Sequence, residues 1–256
     1  MEVLHSNIIG AGEPLLILHG FLGMLDNWKT LGKQYGEEGF EVHLIDQRNH
    51  GKSFHATTFN YDVMAEDLNR YMEHHNLSSA ILLGHSMGGK VAMQFACTHP
   101  EKVKKLLVAD IAPKYYPPHH QEILSGLKAI KVREISSRQE ANDRLTRYIT
   151  QPGVRQFLLK NLYWAEKGVL DFRFNLEVLS ERMEEIGTNI GATDSYEGPT
   201  LFLRGDKSDY ITDDDTRAIQ KHFPRASVET ISNAGHWLHA ENPKEFLAKS
   251  IPFFKE

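Results

Sequence analysis

The stretch Ala80-Ile81-Leu82-Leu83-Gly84-His85-Ser86-Met87-Gly88-Gly89-Lys90 decides how the rest of the chain is read. An apolar run stops at Gly84, a serine follows with small residues two positions to either side, and apolar residues then recur at helical spacing. A run this short that ends in glycine predicts a buried strand. The pattern Gly88, Val91, Ala92, Phe95, Ala96, closed by Pro100, predicts a helix over 87–99. On such a strand-to-helix turn, G-x-S-x-G holds a serine hydroxyl above the end of a sheet. The glycines let neighbouring backbone approach, and the amide after the serine faces a developing negative charge. Serine flanked by glycines is common in loops, so the strand before and the helix after carry the reading. Ser86 is the candidate nucleophile, and the Met87 amide is a candidate oxyanion donor.

Working outward, residues 14–20, 41–48, 80–84, 104–110, 199–205 and 227–235 read as strands, each a short apolar run ending in turn residues. Residues 62–75 between them read as an amphipathic helix, with Met64, Leu68, Tyr71 and Met72 on one face. Strands alternating with helices imply an α/β fold whose mostly parallel sheet is covered on both faces. After Pro113 the rhythm breaks. Residues 114–198 carry almost only helical signals: a capping box at Ser137 and Glu140, and helical spacing over 153–168 and 175–187. The expected organisation is a core of residues 1–113 and 199–256, interrupted by a helical cap over 114–198.

The chain has 256 residues, 41% of them hydrophobic, and a formal charge of −5 with both signs interspersed. That is enough for a sizeable core, and no basic stripe suggests nucleic acid as a partner. Cys97 is the only cysteine, so no internal disulfide can form. The first residues do not read as a signal peptide, and no apolar run has the length of a membrane span. A cytoplasmic protein is expected.

A serine nucleophile needs a base, an acid and a second oxyanion donor. Leu15 to Gly23 ends a strand in His19-Gly20, which makes the amide of Phe21 the candidate donor. Among 14 histidines, His236 stands where a late base belongs, on a loop after the last strand and following Gly235. His239 competes, but belongs to the next helix. The pairs His74-His75 and His119-His120 read as solvated. No motif suggests a metal or a nucleotide cofactor: H-E-x-x-H is absent, and the run Asn49 to Ser53 lacks the first glycine of a phosphate loop. The acid is the less obvious member. Glycine, two residues, then aspartate is the usual pattern after the insertion, but Gly205 is followed at that spacing by Ser208, with Asp206 and Asp209 beside it. A hydroxyl cannot stabilise an imidazolium as a carboxylate does. Asp110, at the end of the preceding strand, is the other candidate and stands ahead of Asp209.

Together, His19 to Trp28, Asp46 to Ser53, Gly84 to Lys90, the run Asp110-Ile111-Ala112-Pro113, Phe172 to Asn175, Lys207 to Tyr210 and Ala234 to Pro243 resemble the YbfF-type esterases of the α/β-hydrolase superfamily over nearly the whole chain. The resemblance implies that Asp110 is the acid and that Ser208 is an auxiliary hydrogen-bonding member near the histidine. It implies structural roles for Asp46, Arg48 and His50. In place of the family's frequent glycine-asparagine before the serine, this chain has Asp206 and Lys207.

The expectation is a cofactor-free serine hydrolase of small-molecule carboxylic esters or acyl thioesters. Phe157, Leu158, Trp164 and Phe174 of the cap are candidates to line its substrate site. Alternatives on the same site are carbon–carbon bond hydrolysis, perhydrolysis or a menaquinone-pathway elimination. A non-catalytic binding module is the remote one.

Overall fold

Alternating apolar runs and helical segments build one sheet with helices on both faces. The structure, a computed structural model, describes residues 2–118 and 120–256. The first part of the chain forms β1 (Ser6–Ile9), β2 (Glu13–Leu18), α1 (Lys29–Glu37), β3 (Phe40–Ile45), α2 (Tyr61–His74), β4 (Ala80–His85), α3 (Met87–Thr98) and β5 (Val103–Ala109). Then come α4 (Gln121–Ala129), α5 (Arg138–Leu145), α6 (Pro152–Leu159), β6 (Leu162–Glu166), β7 (Val169–Phe172), α7 (Leu176–Glu181) and α8 (Met183–Gly187). The chain closes with β8 (Thr200–Gly205), α9 (Thr216–His222), β9 (Ala226–Ile231), α10 (Leu238–Glu241) and α11 (Pro243–Lys255). The main sheet runs β1-β3-β2-β4-β5-β8-β9. Only β1 is antiparallel to its neighbour.

All six strands read from the sequence are present. Their side chains divide the core in two. Leu16, Leu18, Leu82 and Val108 face α2 and α3, while Leu15, Ile17, Leu83 and Leu107 face α1 and α11. Strands buried on both faces read as continuous apolar runs, which is why β4 is legible. Each buried Leu or Ile contributes about 1.5–3 kcal/mol. Helix α3 is buried on every side from Met87 to Ala96, packed against α2 and against the strands β4 and β5.

The segment after β5 departs from the helical expectation. The helical spacing read over 153–168 breaks at Leu159, and β6 and β7 form an antiparallel hairpin turned by Lys167 and Gly168, the latter with φ +82°. Asn161 turns its side chain inward and donates to the carbonyls of Leu158 and Leu22 at 3.2 and 2.9 Å. Arg138 takes the Leu159 and Leu162 carbonyls at 2.8 and 2.5 Å. Capturing those carbonyls ends the helix where side-chain spacing alone would continue it. At Ser137 the hydroxyl caps the Glu140 amide at 3.1 Å, but the Glu140 carboxylate reaches Ser136 rather than closing the box on Ser137. Lys114 and Thr188 of this segment meet at Lys90, whose buried ammonium donates to their carbonyls at 2.5 and 2.9 Å.

Of the histidine pairs read as solvated, His74 is exposed and His75 half-buried. His119 lies outside the described residues. His120 is not free in solvent: it is half-buried, its ring edge-on to Phe21 at 5.1 Å. Among the described residues no helix is long and apolar enough to cross a membrane.

Candidate active site

Ser86 occupies the turn between β4 and α3 with φ +53° and ψ −119°, a conformation that residues with side chains rarely adopt. Its neighbours make the turn possible. A Cβ on Gly84 would lie 2.2 Å from the Gly88 carbonyl oxygen, and one on Gly88 would lie 2.3 Å from that of Leu18. The Ser86 amide donates to Ala109 at 3.0 Å, tying the turn to β5.

The register of β4 and β5 pairs His85 with Ala109, so Ser86 and Asp110 leave the sheet side by side. Asp110 is fully buried and also has a positive φ, +52°. Its Oδ1 accepts the Gly205 amide at 3.1 Å, and its Oδ2 accepts the Ser208 hydroxyl and lies 2.8 Å from His236 Nδ1. The other ring nitrogen, Nε2, is 2.9 Å from Ser86 Oγ. A carboxylate only accepts, so the proton sits on Nδ1 and Nε2 is free to accept from the serine. Asp206 and Asp209 are exposed, and neither carboxylate reaches the imidazole. Those of Asp206 accept the Asn233 and Ala234 amides, both at 2.9 Å, which holds the carboxyl below its ordinary range and pins the loop that carries His236. Ser208, described by the resemblance as a partner near the histidine, touches the aspartate.

Three residues around His236 were not singled out from the sequence. Tyr210 lies flat against the His236 ring, centroids 3.9 Å apart and planes 19° from parallel. Its carbonyl accepts the Tyr116 hydroxyl at 2.6 Å. His85, the first variable residue of G-x-S-x-G, donates Nε2–H to the His236 carbonyl at 2.7 Å. Burial, with His239 and His236 nearby, holds its imidazole neutral, well below the usual range. Trp237 follows the base directly and borders the cleft described below. Spacing rules name nucleophile, base and acid, and carry no signal for the rings that brace them. His239 is in α10, as expected, stacked on Trp28 at 4.1 Å. Burial and the nearby His236 lower its pKa to about 3.

The candidate oxyanion loop, His19 to Leu25, is held from beneath. His50 accepts the Leu22 amide at 3.2 Å, and Asp46 accepts those of Leu25 and Lys52 at 2.8 and 2.9 Å. Arg48 pairs with Asp67. The Gly23 amide turns back to Gly20. Among the described residues the Phe21 amide meets no protein acceptor, and Met87, as the first residue of α3, has no intrahelical one.

Two spaces open at Ser86. The larger, about 760 Å³, is bordered by His236 and by Phe21, Trp28, Phe157, Leu158 and Trp237 among others. The smaller, about 20 Å³, lies on the Met87 side and is bordered by Tyr61, Ile111, Tyr116, His120, Met183 and Ile186 among others. Of the four cap residues expected at the substrate site, Phe157 and Leu158 border the larger space. Trp164 does not: it is 55% exposed on the hairpin. Phe174 is buried, stacked on Phe172 at 4.7 Å, and borders neither space. The hairpin is the reason, since alternation in a strand turns Trp164 outward where a helix would have turned it in.

Residues 13–128 match the family described as alpha/beta hydrolase fold. The chain is 38% identical over 253 residues to the sn-1-specific diacylglycerol lipase ABHD11 of Danio rerio, covering 96% of this chain and 80% of that one. It is 32% identical over 236 residues to esterase YbfF of Escherichia coli (strain K12), covering 92% and 90%. Among solved structures, a marine microorganism esterase superposes with a TM-score of 0.96 at 44% identity, covering 99% of this chain and 100% of the other.

Proposed function

The chain belongs to the YbfF-type esterases of the α/β-hydrolase superfamily, serine hydrolases of carboxylic esters, and on that footing we propose that Ser86, His236 and Asp110 perform the hydrolysis. The observation that carries the assignment is the unbroken line from Ser86 Oγ through both ring nitrogens of His236 to Asp110 Oδ2. His236 Nε2 takes the serine proton as Oγ attacks the ester carbonyl, and Asp110 steadies the imidazolium. The amides of Phe21 and Met87 receive the oxyanion. The imidazolium protonates the departing alcohol, and an acyl group stays on Ser86. Water, deprotonated by the same histidine, then releases the acid. Ser208 acts as an auxiliary by orienting Asp110.

Phe157 and Leu158 belong to the substrate wall, and residues 114–198 serve as a cap over it. The same steps apply to a thioester, whose thiol is the better leaving group. A cytoplasmic location is part of this proposal, supported by the single cysteine. The test is Ser86→Ala. Turnover of a nitrophenyl ester should fall on the order of a million-fold, and a fluorophosphonate probe should label the parent protein but not the variant. Undiminished turnover in the variant overturns the assignment.

A further inference from the structure

The two spaces at Ser86 differ in size, and only one of them borders the base. We infer that the small recess takes the acyl part of the ester and the large cleft takes the leaving alcohol, so the substrates are short acyl esters, acetyl above all, of bulky apolar alcohols. This rests on the assignment of Ser86 and His236 just given.

The direction follows from the proton. As the bond between acyl carbon and alcohol oxygen breaks, that oxygen leaves with its electron pair and takes the proton on His236 Nε2. The alcohol must therefore lie on the His236 side of Ser86. His236 borders the cleft of about 760 Å³ and not the recess. The substituent on the other side of the acyl carbon is directed past Met87, into the space between Ile111 and the cap residues Met183 and Ile186. About 20 Å³ is room for a group the size of one water or a methyl.

Two of the three tyrosines at the recess spend their hydroxyls on protein carbonyls: Tyr61 donates to Ile186 at 2.7 Å and Tyr116 to Tyr210 at 2.6 Å, and Tyr210 and His120 border it as well. The cleft is within the 300–1,000 Å³ common for small-molecule sites, and aromatic residues from both core and cap border it. It accommodates a ring system, or the pantetheine arm of a thioester.

The experiment uses the full-length protein and two ester series. Along nitrophenyl acetate, butyrate, hexanoate and octanoate, kcat/KM should fall at least about tenfold by hexanoate, since a pocket too small for a methylene rejects it by about ten- to two-hundredfold. Along methyl, benzyl and naphthyl acetate it should rise. Met183→Ala and Ile186→Ala should move the acyl optimum to longer chains. Phe157→Trp, which narrows the cleft, should penalise naphthyl acetate and leave the acyl optimum in place. Two results overturn the inference while leaving the hydrolase assignment intact: a parent enzyme that prefers octanoate, or an acyl optimum that moves with Phe157 and not with Met183 or Ile186. If no ester is turned over and Ser86 takes no fluorophosphonate, the hydrolase assignment fails and the inference falls with it.

Discussion

The hydroxyl of Ser208 and the Nδ1–H of His236 converge on one oxygen, Oδ2 of Asp110. Ser208 thus holds the carboxylate that holds the His236 imidazole. Asp110→Asn puts an amide where the imidazole needs an acceptor, and turnover should fall about ten-thousandfold. Ser208→Ala removes one of three hydrogen bonds to the carboxylate and should cost about tenfold. The double variant should lose less than the product of the two, because both act through the same oxygen. Turnover of one nitrophenyl ester, with folding checked by circular dichroism, decides it. An active Asp110→Asn variant would move the acid elsewhere.

Asp206 works on backbone, not on the imidazole. Asp206→Asn keeps one acceptor for two amides, so the His236 loop loosens and turnover should drop a few-fold, about one hydrogen bond's worth. Asp209→Asn should stay within about twofold of the parent. If either variant is as damaged as Asp110→Asn on the same ester, the usual loop after the insertion supplies the acid after all.

Tyr210 stacks on His236 through its ring face, so the ring and not the hydroxyl should matter. Tyr210→Phe should keep turnover within about twofold. Tyr210→Ala removes an aromatic contact worth about 0.5–1.5 kcal/mol and frees the imidazole to turn, so turnover should fall about tenfold with little change in KM. Equal losses in the two variants would shift the role to the hydroxyl.

Lys90 should make stability depend on pH. Burial, with Lys114 nearby, lowers its pKa from 10.5 to about 7. Tyr116 lies under its ammonium at 5.2 Å, and the nearby carboxylate, Asp215, is paired with Lys114. Between pH 7 and 10.5 the unfolded chain holds a proton that the folded chain lacks, so stability from this group rises with pH across that window, by at most about 1.4 kcal/mol per unit. Below pH 7 both states are charged and the contribution is constant at its least favourable. Lys90→Met abolishes the dependence. In urea unfolding from pH 6 to 10, its stability relative to the parent should be highest at pH 6 and decline steadily above pH 7. A constant difference across the range would show that Lys90 does not change charge there.

Much of the core was legible because its strands are buried on both faces and read as unbroken apolar runs. The edge strand β1, with four mostly half-buried residues, leaves no such trace. Helix α1 buries only Leu31, Gly32 and Tyr35, too few to show a period. The hairpin of β6 and β7 was hidden because Leu158, Leu159, Leu162 and Trp164 also fit a helical face, and only Asn161 and Arg138, reaching across space, break it. At the site, Ser86, His236 and Asp110 announce themselves by motif and position. Tyr210 and His85 act by contact with His236, and contact between residues more than twenty positions apart has no local signature.

With Asp110 at the end of β5 as the proposed acid, the segment 114–198 becomes an exchangeable part. Ser86 and Asp110 leave adjacent strands on a shared rung before residue 114, so their spacing is independent of how long the following excursion is or what shape it takes. Only His236 must come home afterwards, and the sheet guides it there through β8 and β9. An enzyme built this way can trade one roof for another and keep its chemistry. The constraint falls on the seam, where any replacement has to return two backbone carbonyls to the ammonium of Lys90.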